Sequence, residues 1–319
     1  MRLALAGDTM LGRGVGEELL RHPGRPLFSD EVAELLGGAD LFLLNLECCI
    51  SEQGERWPDP AKPFFFRAPP AAVDQLVRLG VDCVTLANNH ALDYGAVALL
   101  DTLELLAQAN IEVVGAGQTV VEARRSALLE HQGFRLRIIG LTDHPREYAA
   151  GSDRPGVAYA DLSTGVPGWV LDQIGRDDVD ATLVTSHWGP NMTSRPVTRV
   201  RRAAAALDAA GATLVAGHSA HVFHGVHGNV LFDLGDFIDD YAVDPQLRND
   251  LGLVFIVDLG PNGPVRVEAI PIALDYAFTR RADHDEAAWI RARFMAACRE
   301  LGEEVEVIDG ACVIHLGSR

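Results

Sequence analysis

Short apolar runs alternate along this chain with stretches whose apolar positions recur every three or four residues. The first kind predicts strands at residues 3–6, 41–46, 81–86, 111–114, 135–141, 181–185 and 212–216. The second predicts helices at residues 29–36, 71–79, 94–109, 197–210 and 286–301. In the third of these, Leu99, Leu103 and Leu106 share one face, and Ser29 stands where the first needs an N-cap. Such alternation builds mostly parallel sheets covered by helices. From residue 230 the pattern turns to strands at 230–232, 253–257 and 265–270. Residues 57–70 carry five prolines around Phe64, Phe65 and Phe66, which predicts an ordered, extended loop or edge segment. With no internal repeat or low-complexity segment, one mixed α/β domain over residues 1–319 is expected. Residues 276–319 are read as a helix-and-strand extension packed on it.

Five of the predicted strands end in polar side chains of one chemical kind. They are Asp8, Glu47, Asn89 with His90, His187, and the pair His218 and His221. Open α/β sheets bind ligands at the carboxyl ends of their strands. Carboxylates, an amide and imidazoles, with no thiolate, suit one or two divalent ions such as Mn, Fe, Zn or Mg. A carboxylate can bridge two ions about 3.5–4 Å apart, the spacing used to activate a hydroxide. Any one of these residues has a plain structural explanation: Asp8 as a turn residue, Asn88 and Asn89 as suppliers of unusual backbone angles, His90 as a helix cap. Glu47 is harder to explain so, because a carboxylate closing an apolar run needs a partner. His224 and His227, in the same histidine-rich stretch, read as hydrogen-bonding residues.

Composition narrows the function. A formal charge of −18 opposes a broad nucleic-acid-binding surface. The five cysteines are odd in number and include the adjacent pair Cys48 and Cys49, which points to reduced thiols and a cytoplasmic protein. The N-terminus does not read as a signal peptide, and no window has the apolar length of a membrane span.

Seven runs carry a resemblance. They are Gly-Asp-Thr-Met-Leu-Gly-Arg (7–13), Asn-Leu-Glu (45–47), Lys-Pro-Phe-Phe-Phe-Arg-Ala-Pro-Pro (62–70), Leu-Ala-Asn-Asn-His-Ala-Leu-Asp-Tyr-Gly (86–95), His-Trp-Gly-Pro-Asn (187–191), Gly-His-Ser-Ala-His (217–221) and Leu-Gly-Asp-Phe-Ile-Asp-Asp-Tyr (234–241). In order, over residues 1 to about 275, they resemble the motifs of the CapA, or PgsA-like, capsule and poly-γ-glutamate biosynthesis family, a branch of the calcineurin-like metallophosphoesterases. The resemblance implies a four-layer αββα sandwich with two mixed β-sheets. It also implies that Glu47 bridges, that Asn89, His187 and His218 complete one metal site, that Asp8 and His221 form another, and that His90 acts as general acid or charge stabiliser. Two departures stand out: the superfamily's first motif is Asp-x-His where this chain has Met10, and its last is His-x-His where this chain has His218-x-x-His221. Substrate contacts are expected from Arg13, Arg67 and Arg195, from Trp188 and Asn191, and from Asp143 and His144 at a strand end, with Asp236 supporting a metal-bound histidine.

Three functions fit. One is a metal-dependent hydrolase of a phosphoester or a related acyl or peptide bond, using a metal-activated water. A second is a metal-optional peptide epimerase that moves a Cα proton in the same pocket with His90, Asp8 and Asn89. The third is a non-catalytic component of poly-γ-glutamate or capsule synthesis. The implied substrate is a small molecule, peptide or polyglutamate, and anionic.

Overall fold

Alternation of side chains with period two decides how the layers stack. In the strand Arg2–Thr9, Leu3 and Leu5 enter one core and Ala4 and Ala6 another. In Leu41–Leu46, Leu41 and Leu43 join the first, while Phe42 and Leu44 join the second. A strand apolar on both faces is covered on both. The computed structural model describes residues 1–176, 178–260 and 263–317. Its larger sheet has ten strands, eight of them in the order Glu306–Ile308, Ala311–His315, Gly263–Asp275, Leu251–Gly260, Arg2–Thr9, Leu41–Leu46, Cys83–Thr85, Glu112–Val114. Asp236–Ile238 pairs in addition with Arg2–Thr9, and Phe278–Arg281 with Gly263–Asp275. The second sheet has six strands, in the order Val226–His227, Val230–Leu231, Leu214–His218, Ala181–His187, Phe134–Thr142, Ala127–His131. Both sheets mix parallel and antiparallel pairs.

Three apolar cores separate four layers. One lies between the large sheet and the helices Arg13–Arg21, Asp30–Gly37, Ala72–Arg78 and Gly95–Gln108, with Val15, Val32, Leu76 and Leu99 among its residues. The second joins the two sheets, Leu5 and Phe255 facing Ile138 and Leu183. The third packs the six-stranded sheet on the helices Gly168–Ile174 and Thr198–Ala209 through Val170, Val200 and Leu207. Each fully buried leucine or valine contributes about 1.5–3 kcal/mol to closing the sandwich. The αββα order expected of the fold is the one observed.

Ser29 caps its helix as expected, its hydroxyl accepting from the Val32 N–H. The helix Arg13–Arg21 escaped the periodicity reading because Gly14 and Gly16 replace apolar positions on its inner face. The extension after residue 276 is woven in: Phe294 of the helix His284–Leu301 joins the inter-sheet core, and Ala311–His315 pairs with Gly263–Asp275. All five cysteines are free and buried. Among the described residues, no helix is long and apolar enough to cross a membrane.

Candidate metal centre and catalytic cleft

Parallel pairing puts the polar strand ends side by side. His187 is the register partner of His218 in the six-stranded sheet, and Asp8 is that of Asn45 and of Asp236 in the large sheet. The two sheets meet at these ends. Gly7 lets the segment leading into Asp236–Ile238 close on the strand Arg2–Thr9: a Cβ there would stand 1.8 Å from the carbonyl oxygen of Gly235. Absence of that atom lets the Asp8 N–H donate to the Gly235 carbonyl at 2.9 Å.

The centre has two overlapping groups of ligand atoms, Asp8, His187 and His218 in one, and Asp8, Glu47, His221 and Asp236 in the other. Asp8 is common to both, its carboxylate 3.8 Å from His218 Nδ1 and 3.2 Å from His221 Nδ1. Glu47 spans them as well, with Oε1 3.9 Å from His187 Nε2 and Oε2 3.8 Å from His221 Nδ1. Asp236 Oδ1 lies 2.9 Å from His221 Nδ1. His221 has a left-handed backbone, φ 60°, and Ser219 has φ 118°. This strained turn lets two imidazoles three residues apart face one centre.

Several atoms of the centre are buried without a hydrogen-bond partner, both oxygens of Glu47, His187 Nε2 and Asp236 Oδ2, and so is Asn89 Oδ1. A carboxylate in that condition costs several kcal/mol, and oxygens and an imidazole nitrogen left open together are the donor set of a hard or borderline divalent ion. The cluster is therefore compatible with a divalent metal.

Electrostatics divide the candidate ligands. Burial, then the charge of Asp8, raises Glu47 well above the usual carboxylate range. Burial holds His187 well below its ordinary value and lowers His218 to about 4, so both are neutral, as ligands must be. Burial also opposes charge on Asp8 and on His221. In Asp8 the hydrogen bond and charge of His221 prevail and lower it, and in His221 the charges of Asp236 and Glu47 prevail and raise it.

His90 stands on a second scaffold. Its Nδ1 lies 2.6 Å from Asp93 Oδ2. Asp93 also accepts from the Phe66 N–H at 2.7 Å, Tyr148 OH at 3.0 Å and Lys62 Nζ at 3.0 Å. Burial lowers His90 to about 4, against the pull of Asp93. Phe66 stacks on the imidazole at 3.9 Å between ring centroids. A hydrogen-bonded chain links this unit to the centre. The His90 N–H donates to Asn88 Oδ1, Asn88 Nδ2 to Asn45 Oδ1, and Asn45 Nδ2 to Asp8 Oδ1 at 2.6 Å.

Of the expected substrate contacts, Arg13 and Asn191 share a cavity of about 280 Å³ with His90 and His221. The Arg13 guanidinium lies 5.6 Å from the Phe64 and Phe66 ring centroids, and Asn191 Nδ2 is 3.3 Å from His221 Nε2. Asp143 and His144 pair at 2.5 Å, and the His144 ring is 5.2 Å from that of His187. Three residues are used elsewhere. Trp188, expected on the ligand, is buried in the outer helix–sheet core with its indole N–H on the Phe232 carbonyl. Arg195 pairs with Glu300 at 2.8 Å on the surface. Arg67 donates to the Gln53 and Gly54 carbonyls and is not in the wall of the His90 cavity. Met10 is fully buried in the helix-side core, so that superfamily ligand has no counterpart here. Sequence reasoning missed Asn45, Asp93, Lys62 and Tyr148. Asp93 had a signal, three residues after His90 in the same motif; Tyr148 had none.

The family model for bacterial capsule synthesis protein PGA_cap matches residues 2–241. The chain belongs to that family. This PGA_cap chain is 30% identical over 356 residues to a probable polyglutamine synthesis accessory protein of Mycobacterium tuberculosis, covering 94% of this chain and 92% of that protein. It is 29% identical over 280 residues to the PGA biosynthesis protein CapA of Bacillus subtilis, covering 86% of this chain and 72% of that one. Among solved structures it resembles a novel phosphatase from Mycoplasma pneumoniae, with a TM-score of 0.53, 15% identity, and coverage of 86% of this chain and 93% of that one. The PGA_cap chain is thus of CapA type on a metallophosphoesterase-like fold.

Proposed function

We propose that this chain is a metal-dependent hydrolase acting on a phosphoester or a related acyl or peptide bond of an anionic substrate. The unpartnered, buried atoms of Glu47, Asn89 and His187 carry the reading. Asp8, His187 and His218 would hold one ion, joined by Asn89 on the family resemblance, and Asp8, Glu47, His221 and Asp236 a second, chosen from Mn, Fe, Zn and Mg. Bound there, an ion supplies a hydroxide at neutral pH and charge opposite the reacting oxygen.

The chain's own residues do the rest. His90 donates its Nδ1 proton to Asp93, which fixes the tautomer and leaves a lone pair on Nε2. Nε2 takes up a proton as the nucleophile forms and returns it to the leaving group. Asp93 orients the ring, and Phe66 excludes water from its face. Arg13 provides a guanidinium fork in the same cavity for an anionic group of the substrate. Relatives named for polyglutamine synthesis and PGA biosynthesis support a polymer or peptide substrate.

The word accessory in the first relative's name supports a second reading, a non-catalytic role in polymer synthesis. Metal analysis of the purified protein and hydrolysis assays separate the two, using aryl phosphomonoesters, aryl phosphodiesters and γ-glutamyl peptides with and without Mn. Metal with turnover, both lost in Glu47→Gln, is the expected result. Neither metal nor turnover in any condition would leave the accessory role. Deuterium incorporation at Cα without cleavage would transfer the site to epimerisation.

A further inference from the structure

We propose that the basin beside the His90 cavity, lined by Arg13, Arg56 and Arg67, is a second substrate subsite that binds carboxylates along an extended polycarboxylate chain. It rests on the hydrolase reading only for which bond of that chain reaches the centre.

The extended Phe64, Phe65 and Phe66 form the partition. Side chains of an extended segment alternate in direction. Phe64 and Phe66 line the His90 cavity, and Phe65 lines the basin. Arg13 belongs to both walls, so its side chain borders the two spaces. The His90 cavity, about 280 Å³, is at the small end for ligand sites. A polymer residue placed there leaves its neighbours outside, and the adjoining basin of about 520 Å³ receives them.

Of the basin's cations, Arg13 is paired through Nε with Asp240 at 3.3 Å, while Arg56 and Arg67 keep their forks largely open. Arg56 lies over the Phe65 ring at 5.2 Å and makes no hydrogen bond or ion pair among the described residues. Arg67 lies over the Tyr94 ring at 4.1 Å and spends Nη1 on two backbone carbonyls, with no carboxylate in ion-pair range among the described residues. Aromatic support fixes a guanidinium plane without consuming its N–H groups, which then bind a carboxylate bidentately. On a chain of formal charge −18, a polyanion is drawn only to such a grouping. Glu17 and Glu52 also line the basin, Glu17 being paired with Arg21 at 3.5 Å. Cations interleaved with acids repel a ligand of dense charge such as polyphosphate and accept single charges spaced along a chain.

The test is calorimetric binding to the full-length protein stripped of metal, with glutamate, γ-linked diglutamate, γ-linked hexaglutamate and inorganic polyphosphate as probes. Affinity rising about tenfold or more from dimer to hexamer is expected, with most of the gain lost in Arg56→Glu and in Arg67→Ala. Arg56 is exposed and holds nothing else in place, so its variant keeps the test valid if Arg67→Ala fails to fold. Equal affinity for dimer and hexamer, an unaltered hexamer affinity in Arg56→Glu, or preference for polyphosphate would overturn the proposal. Length-dependent binding with no cleavage under any condition would keep this subsite and reject the hydrolase. Cleavage of short substrates without length dependence would do the reverse.

Discussion

Nδ1 of His90 lies 2.6 Å from Asp93 Oδ2, inside a shell where the same carboxylate also accepts from a backbone N–H, a phenol and a lysine. Four donors on one buried acid fix the imidazole's tautomer and plane. The imidazole is thereby held by the fold on its Nδ1 side, while its backbone N–H starts the hydrogen-bonded chain to Asp8.

Replacing His90 by Ala removes proton transfer and leaves the ligand set intact. Turnover on substrates with poor leaving groups falls by about 10²–10⁴-fold, and aryl substrates with good leaving groups lose less. Steady-state kinetics across a leaving-group series, with metal content measured on the same samples, checks this; an equal loss for all leaving groups would assign His90 another role.

Asp93→Asn reaches further than His90→Ala, because Lys62, at 14% side-chain exposure, loses its carboxylate. Removing one partner of a buried pair costs about 3 kcal/mol or more. Urea denaturation of the two variants should therefore separate them, with Asp93→Asn clearly the less stable.

Chelation should lower the melting temperature and Mn should restore it, since a ligand that binds only the folded state stabilises by about 2.7 kcal/mol at a hundredfold excess over Kd. In Glu47→Gln or His187→Ala the shift on adding Mn should shrink to near zero. Scanning calorimetry with and without Mn reads it directly, and a full shift in both variants would remove these residues from the ligand set.

Met10→His restores the superfamily's motif on paper only. Residue 10 is fully buried in the core behind the large sheet, so an imidazole there loses solvation and gains no ion. Metal content should stay at the parent's level while stability drops by about 2 kcal/mol.

His224 gives the pH dependence. Burial lowers it to about 4, and its Nε2 lies 2.7 Å from the Thr193 carbonyl while Nδ1 has no partner. The unfolded chain binds a proton near pH 6.5, so this histidine costs no stability above that value and destabilises the fold as pH falls from 6.5 to 4. The loss approaches about 3 kcal/mol. His224→Gln, which can still donate to Thr193, should remove this histidine's share of the loss and leave the shares of His90, His187 and His218, read in denaturation curves taken at several pH values.

Apolar period and motif order by themselves determined a good deal. The strands ending in Asp8, Glu47, His187 and His218, the helices between them and a mixed α/β class follow from where leucines and valines recur, because burial of one or two faces imposes that spacing; the αββα stacking came only with the resemblance of the motifs. Boundaries set by capping were less plain: Asp283 and Glu286 form a capping box that starts the last helix at His284, two residues before the periodicity shows. Tertiary structure alone decided which polar residues share a centre and which merely stand beside a motif. Trp188 sits in a motif yet serves the core, whereas Asn45, Lys62 and Tyr148 reach the site from separate segments. Pairwise contacts between residues far apart in the chain depend on sheet register and on the approach of Gly7 to Gly235, and one-dimensional spacing carries no record of either.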